Sequence, residues 1–444
     1  AQILGFMRLV FLALACLAAA PADGALTAAE ALALAPGGRA RAQSIDIREL
    51  GARAGLDAAA KAATTAALRD AFAAAADALV YVPAGVWVTA PVNLSSHKTL
   101  FLARGATLKA SMDDADYFLI EPLPSFGQGR DHPGPRWNNF LTAPHVRDLV
   151  ITGENGTVDG SGQRWWAAHE AGTERYTRGS LLETYHAEDV VITDVTFVNS
   201  PFWTVHLFDT HHVRAARLTV LNPYSSPNTD GFDPNSSTDI VLEDSYFATG
   251  DDGVAIKSGW DCFGIDYGRP SRDILVRNLT YSSPGHHGID LGSELSGGIK
   301  NVTVEDSYFF NVHAGVRLKT QPQRGAFVHD VVFRNLRVDR AEIVLQMDSN
   351  YTAPNPSCAG RPLPPPTDVR GFVAENWHGR GNEAVALLTG FAAAPFAGIE
   401  LRAWAFVDGG EGFACESVSG VALDVSPEPC AELRPAPVTA TAKE

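Results

Sequence analysis

Short apolar runs recur along the chain from residue 149 onward, separated by Asp, Asn and Gly, and long helical periodicity is absent. Apolar runs of this length, bounded by turn-forming residues, are typical of short strands. Six of the runs resemble one another, and four of these continue with a polar pair of the type Glu-Asp or Arg-Asn. They lie at 149–151, 190–192, 240–242, 274–276, 302–304 and 331–333. The pattern therefore predicts an all-β protein built from a repeated strand unit.

The spacing of the repeats indicates how the strands are arranged. The last four runs begin 34, 28 and 29 residues apart, which is too irregular for a helical repeat. Strand units of this length can bury a face by stacking on their neighbours. We therefore predict a right-handed parallel β-helix. A β-sandwich would also contain many short strands, but it would not bring Asp230, Asp251, His287 and Arg317, which lie in successive repeats, onto one face.

Two segments before the repeats have other patterns. Residues 57–79 are rich in alanine and place Leu68, Phe72 and Leu79 at helical spacing. Such a stripe suits a short helix that caps the N-terminal end of the solenoid, where exposed strand edges need cover. Residues 122–139, rich in Gly, Pro and Arg, are expected to form a long loop that walls a groove.

The two ends of the chain are expected to lie outside the solenoid. Residues 1–24 contain a cationic start at Met7 and Arg8, an apolar run and small residues, the pattern of a secretory signal peptide with a few upstream residues. Residues 25–45 and 431–444 are predicted to be poorly ordered. This division leaves 46–430 as a single catalytic domain of a protein secreted to the extracellular space or cell wall.

Three carboxylates occur in two short runs flanked by glycine, NTDG at 228–231 and GDDG at 250–253. Such runs are often simple turns. Hydrolysis of a glycosidic bond, however, needs one protonated and one ionised carboxyl on opposite sides of the bond. Crowding of Asp230, Asp251 and Asp252 is one way to raise the pKa of one of them.

Further polar residues lie downstream in the same register. His287 can hydrogen-bond a carboxylate and help to set its protonation. Arg317 and Lys319 are two residues apart, so on a strand they face the same side. There the planar guanidinium of Arg317 and the ammonium group of Lys319 can bind the carboxylate of a uronic acid. Lys257 is a further candidate for that task.

These four elements, in this order, resemble the signature of the polygalacturonase family (glycoside hydrolase family 28): NTDG, GDD, a Gly-His-Gly element ending in Gly-Ser, and Arg-x-Lys. The likeness extends over about residues 85–430 and is similar to the plant-type and bacterial branch. It implies a parallel β-helix that inverts the anomeric centre and needs no metal or cofactor. Cys415 and Cys430 resemble a terminal disulfide pair of the plant-type relatives, which leaves Cys262 and Cys358 as the remaining pair.

The resemblance also implies a role for each matching residue. Asp251 would be the general acid, Asp230 and Asp252 would activate the water, and His287 would lie beside the acid. The expected substrate-binding residues are Asn228, Lys257, Arg317, Lys319 and Tyr351.

The chain departs from the family pattern at two positions near this signature. His286 replaces the glycine before the histidine, and Asp290 replaces a serine, which adds a fourth acid near the site. Neither change removes a group that the mechanism requires. The Asp-rich entry motif of the family is also missing, since only Asp57 lies in the stretch before Asp70.

Composition narrows the possible partners. The net charge of −16 argues against nucleic acids and anionic membranes as partners. Four cysteines remain after removal of a signal peptide, an even number that suits disulfides in an exported chain. Six sequons are compatible with glycosylation, and they lie at Asn93, Asn155, Asn235, Asn278, Asn301 and Asn350.

The predicted function is hydrolysis of α-1,4-galacturonosidic bonds in polygalacturonate by a monomer, with exo action favoured over endo. A hydrolase of rhamnogalacturonan or substituted galacturonan with the same carboxylates is the first alternative. A pectin or pectate lyase and a non-catalytic carbohydrate-binding β-helix are two others, and the paired aspartates argue against the lyase.

Overall fold

The computed structural model describes residues 24–74, 77–351, 358 and 360–434. In this part of the chain, strands of successive coils pair in parallel, each with the strand one coil before and one coil after it. Only β7 (Leu119–Ile120) and β8 (Arg136–Trp137) form a separate antiparallel pair. The right-handed parallel β-helix predicted from the repeats is confirmed.

The strands form three rows along the solenoid. The first row contains β1 (Gln43–Asp46), β2 (Ala78–Val82), β5 (Lys98–Leu102), β10 (Arg147–Gly153), β13 (Glu188–Thr193), β16 (His211–Ala216), β19 (Thr238–Ala248), β21 (Ser271–Gly292), β22 (Ile299–Glu305), β24 (Phe327–Arg334), β26 (Asp368–Arg380), β28 (Phe396–Val407) and β30 (Val418–Ser426). The second row begins with β3 (Gly85–Thr89), β6 (Ala106–Ala110), β11 (Gly156–Asp159), β14 (Val195–Val198) and β17 (Thr219–Leu221). It continues through later parts of the long strands and through β23 (Tyr308–Lys319) and β25 (Arg337–Asp348).

The third row carries the candidate site. It contains β4 (Val92–Asn93), β9 (Leu141–Pro144), β12 (Leu182–Tyr185), β15 (Val205–Phe208), β18 (Phe232–Asn235) and β20 (Val254–Ile256), then the ends of β21, β23 and β25, and finally β27 (Ala384–Thr389) and β29 (Glu411–Glu416). Because side chains alternate between the two faces of a strand, each row has one face inside the solenoid and one outside.

The core consists of apolar residues stacked in register from coil to coil. One column of the first row runs through Val80, Leu100, Ile151, Ile192, Ala215, Leu242, Val276, Val304, Phe333, Ala374 and Leu401. All of these side chains are buried. Stacking of like residues is therefore what holds one coil on the next, as expected for a solenoid.

Between the first and last predicted runs, one coil escaped the sequence pattern. The interval between the predicted runs at 190 and 240 holds an additional first-row strand, β16, in which Val213 pairs with Val190 on one side and Ile240 on the other. The run in β16 is interrupted by Arg214 and by two alanines, so it lacks the three consecutive large apolar residues of the other units.

The helices lie mostly at the N-terminal end. They are α1 (Ala28–Ala33), α2 (Ala58–Ala73), α3 (Gln163–Glu170) and α4 (Asp261–Tyr267). Asp57 caps α2 by accepting a hydrogen bond from the amide of Ala60, and Leu68 and Phe72 pack into the core. Leu79 lies in β2 instead of continuing the helix. The predicted capping helix is present, but it ends earlier than the alanine-rich stretch.

The segments predicted to be poorly ordered hold local structure where the chain is described. Helix α1 begins with a capping box between Thr27 and Glu30, and Ala31 is buried. At the other end, a helical turn at Ala431–Leu433 buries Leu433 in the core. Buried apolar residues therefore order parts of these segments. The polar and small residues around them gave no sign of this order in the sequence. The predicted signal peptide lies almost wholly outside the described residues.

Two disulfides are present, and one of them joins distant parts of the chain. Cys415 pairs with Cys430, and Cys262 in α4 pairs with Cys358 across a separation of 96 residues. The Cys415–Cys430 pairing expected from the resemblance is confirmed, and the two remaining cysteines form the second bridge. Within the described residues, no helix is long and apolar enough to span a membrane.

One sequon is not available for glycosylation in the folded protein. Asn235 is completely buried, and its amide lies 3.3 Å from Nε2 of His206. An attached glycan would need space that the packed third row does not offer. This finding corrects the prediction for Asn235.

Candidate active site

The third row and the turns that lead into it bring the predicted carboxylates and the histidine to one side of the solenoid, on neighbouring coils. The amide of Gly231 donates to the carbonyl of Asp252 at 2.9 Å, and the amide of Gly253 donates to the carbonyl of His287 at 2.8 Å. Asp230, Asp252 and His287 therefore follow one another on three successive coils. The stacking that the repeats predict brings these residues together.

A column of glycines makes this close stacking possible. Each motif has a glycine directly after its polar residue, and a Cβ atom on Gly231, Gly253 or Gly288 would lie 2.6 Å from a carbonyl oxygen of the next coil. These glycines have no positive φ angle. They are needed because the backbones of neighbouring coils approach too closely for a Cβ atom.

Asp251 is the most open of the three carboxylates. Its side chain is 20% exposed, against 4% for Asp230 and 3% for Asp252. Its oxygens lie 3.3 Å from Nδ2 of Asn228 and 3.3 Å from Nδ1 of His286. The histidine that contacts this acid is therefore His286, whereas the resemblance placed His287 beside it.

Asp252 is buried between two cationic groups. Nζ of Lys319 lies 2.6 Å from one carboxylate oxygen, and Nδ1 of His287 lies 2.7 Å from the other. Burial alone would raise the pKa of Asp252, but the attraction of Lys319 and His287 holds it well below the ordinary value. Asp252 is therefore the ionised carboxylate of the site at neutral pH.

Asp230 has the opposite environment. Burial raises its pKa well above the ordinary value, and the carboxylates of Asp233 and Asp251 raise it further. Burial also raises the pKa of Asp233 to about 7, although Lys257 opposes the effect. Near neutral pH, the pair formed by Asp230 and Asp233 therefore retains a proton, whereas Asp252 is ionised.

Lys257 lies beneath the groove and not in it. The residue is 4% exposed, and its Nζ lies 3.4 Å from Asp230, 3.4 Å from Asp233 and 3.5 Å from Glu294. Three carboxylates already surround this ammonium group. Its position suits neutralisation of the acids better than the substrate contact that the sequence analysis predicted.

His287 connects the carboxylates to Arg317. Its Nδ1 lies 3.0 Å from Asp290 as well as 2.7 Å from Asp252, and NH1 of Arg317 lies 3.0 Å from its Nε2. Burial alone would lower the pKa of His287, but the carboxylates of Asp290 and Asp252 raise it to about 9. The contact with Arg317 has the opposite effect, because an Nε2 that accepts a hydrogen bond carries no proton and the ring is then neutral.

Arg317 and Tyr351 line the more open side of the cluster. The guanidinium of Arg317 lies 5.1 Å from the ring centre of Tyr351 and donates to Asp348 at 3.1 Å. Nζ of Lys319 lies 5.7 Å from the same ring. The structure thus brings all five predicted substrate-binding residues to the cluster, but Lys257 and Lys319 are both buried, with side chains 5% and 7% exposed.

Two functional candidates, Arg178 and Glu294, were not found in the sequence. Arg178 is buried and donates to the side chain of Asn228 at 2.6 Å, so it positions the residue that contacts Asp251. Glu294 bonds to Arg130 of the loop at 122–139 and contacts Lys257. A single arginine or glutamate has no local pattern, although Glu294 directly follows the Gly-Ser that ends the histidine motif.

Apart from the disulfide-bonded Cys415 and Cys430 with Glu432, the described residues form two separate clusters of groups that metals bind, and a third group, Asp251 with Asp252 and His286, overlaps the first of them. Ligand atoms of Asp252, His287 and Asp290 lie within 4.8 Å of one another, and so do those of Asp131, His169 and Glu174. The ammonium group of Lys319 already contacts both carboxylates of the first cluster, and Arg178 contacts both carboxylates of the second. Protein cations thus balance the charge of each cluster.

Comparisons with known proteins agree with this chemistry. The family described as "Glycosyl hydrolases family 28" matches residues 90–423. A probable polygalacturonase from Vitis vinifera is 38% identical over 365 residues, which cover 80% of this chain and 73% of that protein. An endo-polygalacturonase from Pectobacterium parmentieri is 30% identical over 60% of this chain and 66% of its own length.

Solved structures share the fold. An exopolygalacturonase from Thermotoga maritima has a TM-score of 0.69 at 24% identity, covering 84% of this chain and 91% of that protein. A polygalacturonase from Erwinia carotovora has a TM-score of 0.67 at 22% identity, with coverages of 85% and 96%.

Proposed function

Because the chain belongs to the glycosyl hydrolases of family 28 and is a glycoside hydrolase, we propose that it cleaves α-1,4-galacturonosidic bonds of polygalacturonate with inversion. The observation that carries the proposal is the convergence of Asp230, Asp251 and Asp252 beside Arg317 and Lys319. Carboxyls of different protonation are what glycoside hydrolysis requires, and a guanidinium can bind a uronate.

The proposed roles follow from exposure and charge. Asp251 is open to the groove and would protonate the glycosidic oxygen as the bond to the anomeric carbon breaks. Asp252 is ionised and would accept a proton from the attacking water. Asp230, which retains its proton more readily, would orient that water by a hydrogen bond.

Arg317 is the proposed partner of a substrate carboxylate. Its side chain is 13% exposed, compared with 7% for Lys319, and it lies against Tyr351 at the edge of the cluster. The planar guanidinium can bind a carboxylate through two parallel hydrogen bonds. Lys319 would add positive charge from below.

Exo action is part of the proposal and rests on the loop at 122–139. Arg130 of this loop bonds to Glu294 and lies 5.0 Å from the ring centre of Trp260, and Asp131 contacts Arg178. A loop held against the site in this way can close one end of the groove. Endo action is the alternative, as in the relative from Pectobacterium.

Secretion and the substrate class complete the proposal. Two disulfides suit an oxidising compartment and the predicted signal peptide. A pectic polysaccharide is the proposed partner and a monomer the proposed state. A rhamnogalacturonan or substituted galacturonan remains the second substrate candidate, because the cations identify a uronate but not the sugar on the other side of the bond.

The test is to incubate the mature protein with polygalacturonate and to measure new reducing ends and product sizes. Replacement Asp251→Asn should lower turnover at least about 100-fold, because general acid catalysis supplies that much or more. The exposed Asp239, on the first row, gives a matched control in Asp239→Asn, which should leave turnover unchanged. Release of monomer alone would indicate exo action, and a ladder of sizes would indicate endo action. More than about a tenth of the activity in Asp251→Asn would contradict the assigned acid.

A further inference from the structure

Asp290 is a buried acid in the site that the mechanism above does not use. It lies on β21 in register with Ala255 of β20 on one side and Arg317 of β23 on the other. Its side chain is 0% exposed. One carboxylate oxygen contacts two cations, and the other is buried without a hydrogen-bond partner.

The contacts of Asp290 duplicate those of Asp252. Asp290 lies 3.0 Å from Nδ1 of His287 and 2.9 Å from Nζ of Lys319, and the corresponding distances from Asp252 are 2.7 Å and 2.6 Å. Two carboxylates therefore share the same imidazole and the same ammonium group. A serine, which the family pattern has at this position, would leave Asp252 as the single anion between them.

We propose that Asp290 is a positioning residue that keeps His287 protonated and Lys319 drawn inward beside Asp252, so that Arg317 is free to bind the substrate carboxylate. Asp290 is too deeply buried to touch the substrate itself. It acts through the two cations that it holds. The proposal rests on the proposed function in assigning the substrate carboxylate to Arg317.

The link to Arg317 follows from proton counting at His287. A neutral ring with its proton on Nδ1 can accept the hydrogen bond from Arg317 at Nε2. A doubly protonated ring cannot accept that bond, because both nitrogens are then donors. Protonation of His287 therefore releases the guanidinium from the ring, and a second carboxylate at Nδ1 favours that protonation.

Groups from every neighbouring element face His287. Asp290 and His286 lie on the same strand, Asp252 on the preceding coil, and Arg317, Lys319 and His313 on the following strand. His313 makes an edge contact with a distance of 5.3 Å between the ring centres. Of the groups in direct polar contact with the ring, Asp252 and Asp290 are acids and Arg317 is a cation. Burial raises the pKa of Asp290, and so does the charge of Asp252, while His287 and Lys319 oppose this rise. If Asp290 were replaced by a neutral residue, Asp252 would be the one acid in direct polar contact with the His287 ring, and the positive charge of Arg317 would remain.

The test compares the wild-type protein with Asp290→Asn, which preserves shape, and Asp290→Ser, which restores the family residue. The protein is labelled with ¹⁵N at its histidines, and the His287 signals are assigned with His287→Gln. We expect the pKa of His287 to fall by about one unit or more in both variants, because an opposite charge at this distance shifts a pKa by that amount. Asp339→Asn is the control, since this buried acid contacts Arg337 and Tyr308 and none of the site residues.

Kinetics on polygalacturonate give the second readout. The alkaline limb of kcat/KM should move to lower pH by a similar amount in the Asp290 variants and should stay in place in Asp339→Asn. An unchanged pKa of His287, or an unchanged pH profile with lower thermal stability alone, would overturn the proposal. Failure of both variants to fold would also overturn it, because Asp290 would then be a structural residue. Failure of the proposed function is distinguishable, because the wild-type protein would be inactive while its histidine titration could still be measured.

Discussion

Charge pairing decides the protonation of individual residues along the outer face of the third row. Glu183 is buried and accepts two hydrogen bonds of 2.7 Å from Arg136, while Nδ1 of His206 lies 2.9 Å away. His206 is the register partner of both Glu183 and Asp233. A continuous series of ionisable groups thus leads from this ion pair through His206 to Asp233 beside the candidate site.

The Glu183 ion pair predicts how stability depends on pH. Burial alone would raise the pKa of Glu183, but Arg136 and His206 lower it from 4.5 to about 2. A carboxyl with a lowered pKa stabilises the fold above its unfolded value and loses that contribution as the pH falls. We expect the free energy of unfolding to decrease between about pH 4.5 and 2, as measured by urea denaturation.

The variant Glu183→Gln isolates this contribution. It should be less stable than the wild-type protein at pH 7, because Arg136 would be left buried without a charged partner. The difference should shrink as the pH falls toward 2. A difference that stays constant with pH would show that Glu183 does not titrate in this range.

The site residues that could be predicted from the sequence are those with a glycine nearby. Residues that reach the site only through contacts distant in sequence could not be predicted. Asp230, Asp251, Asp252 and His287 could be predicted because each has a glycine beside or close to it, which the close stacking of coils requires. Arg178 reaches Asn228 from 50 positions away, and no local signal marks such a contact. The covered position of Lys257 likewise depends on Asp233 and Glu294, which are far from each other in sequence.

At the level of elements, large apolar residues made the strands predictable. The six predicted runs all lie in first-row strands, because their side chains stack into the core. Strand β16 was missed because Arg214 interrupts its apolar run and Ala215 fills, with a small side chain, the core position that Ile192 and Leu242 hold in the neighbouring coils. The end of α2 was misjudged because alanine favours helix while the next coil places Leu79 in a strand.

The disulfide between Cys262 and Cys358 connects α4 to the segment that follows Tyr351. Replacing both cysteines by serine should lower the free energy of unfolding by about 2–4 kcal/mol, because the unfolded chain gains freedom. The KM for polygalacturonate should also rise, since Tyr351 packs against Arg317 only seven positions before Cys358. Chemical denaturation and steady-state kinetics measure the two effects.

The second disulfide supplies the control. Replacing Cys415 and Cys430 together should also lower stability, but this pair lies at the C-terminal end of the solenoid, on β29 and in the segment after β30. KM should therefore remain unchanged. An equal rise of KM in both double variants would show that the effect comes from the lower stability of the whole fold and not from a local change near Tyr351.

For the whole molecule, the net charge opposes the proposed substrate. A chain with a net charge of −16 repels a polyanion at long range, while Arg317 and Lys319 attract it only at contact. The screening length falls from about 30 Å at 0.01 M salt to about 10 Å at 0.1 M. We therefore expect kcat/KM on polygalacturonate to rise between these two concentrations.

A substrate with fewer charges gives the matched comparison. Partly methyl-esterified pectin should show a smaller salt effect, because fewer of its carboxylates are ionised. If kcat/KM on polygalacturonate falls steadily from the lowest salt concentration, attraction by the site outweighs the repulsion of the whole molecule.

The most direct test of the proposed hydrolysis follows the reaction on polygalacturonate by ¹H NMR as it proceeds. An acid at Asp251 and a base at Asp252, with a water between base and sugar, would invert the α-linkage. The β-anomer of the new reducing end should therefore appear first and then equilibrate with the α-anomer. Initial appearance of the α-anomer, or an unsaturated product that absorbs in the ultraviolet, would contradict the account.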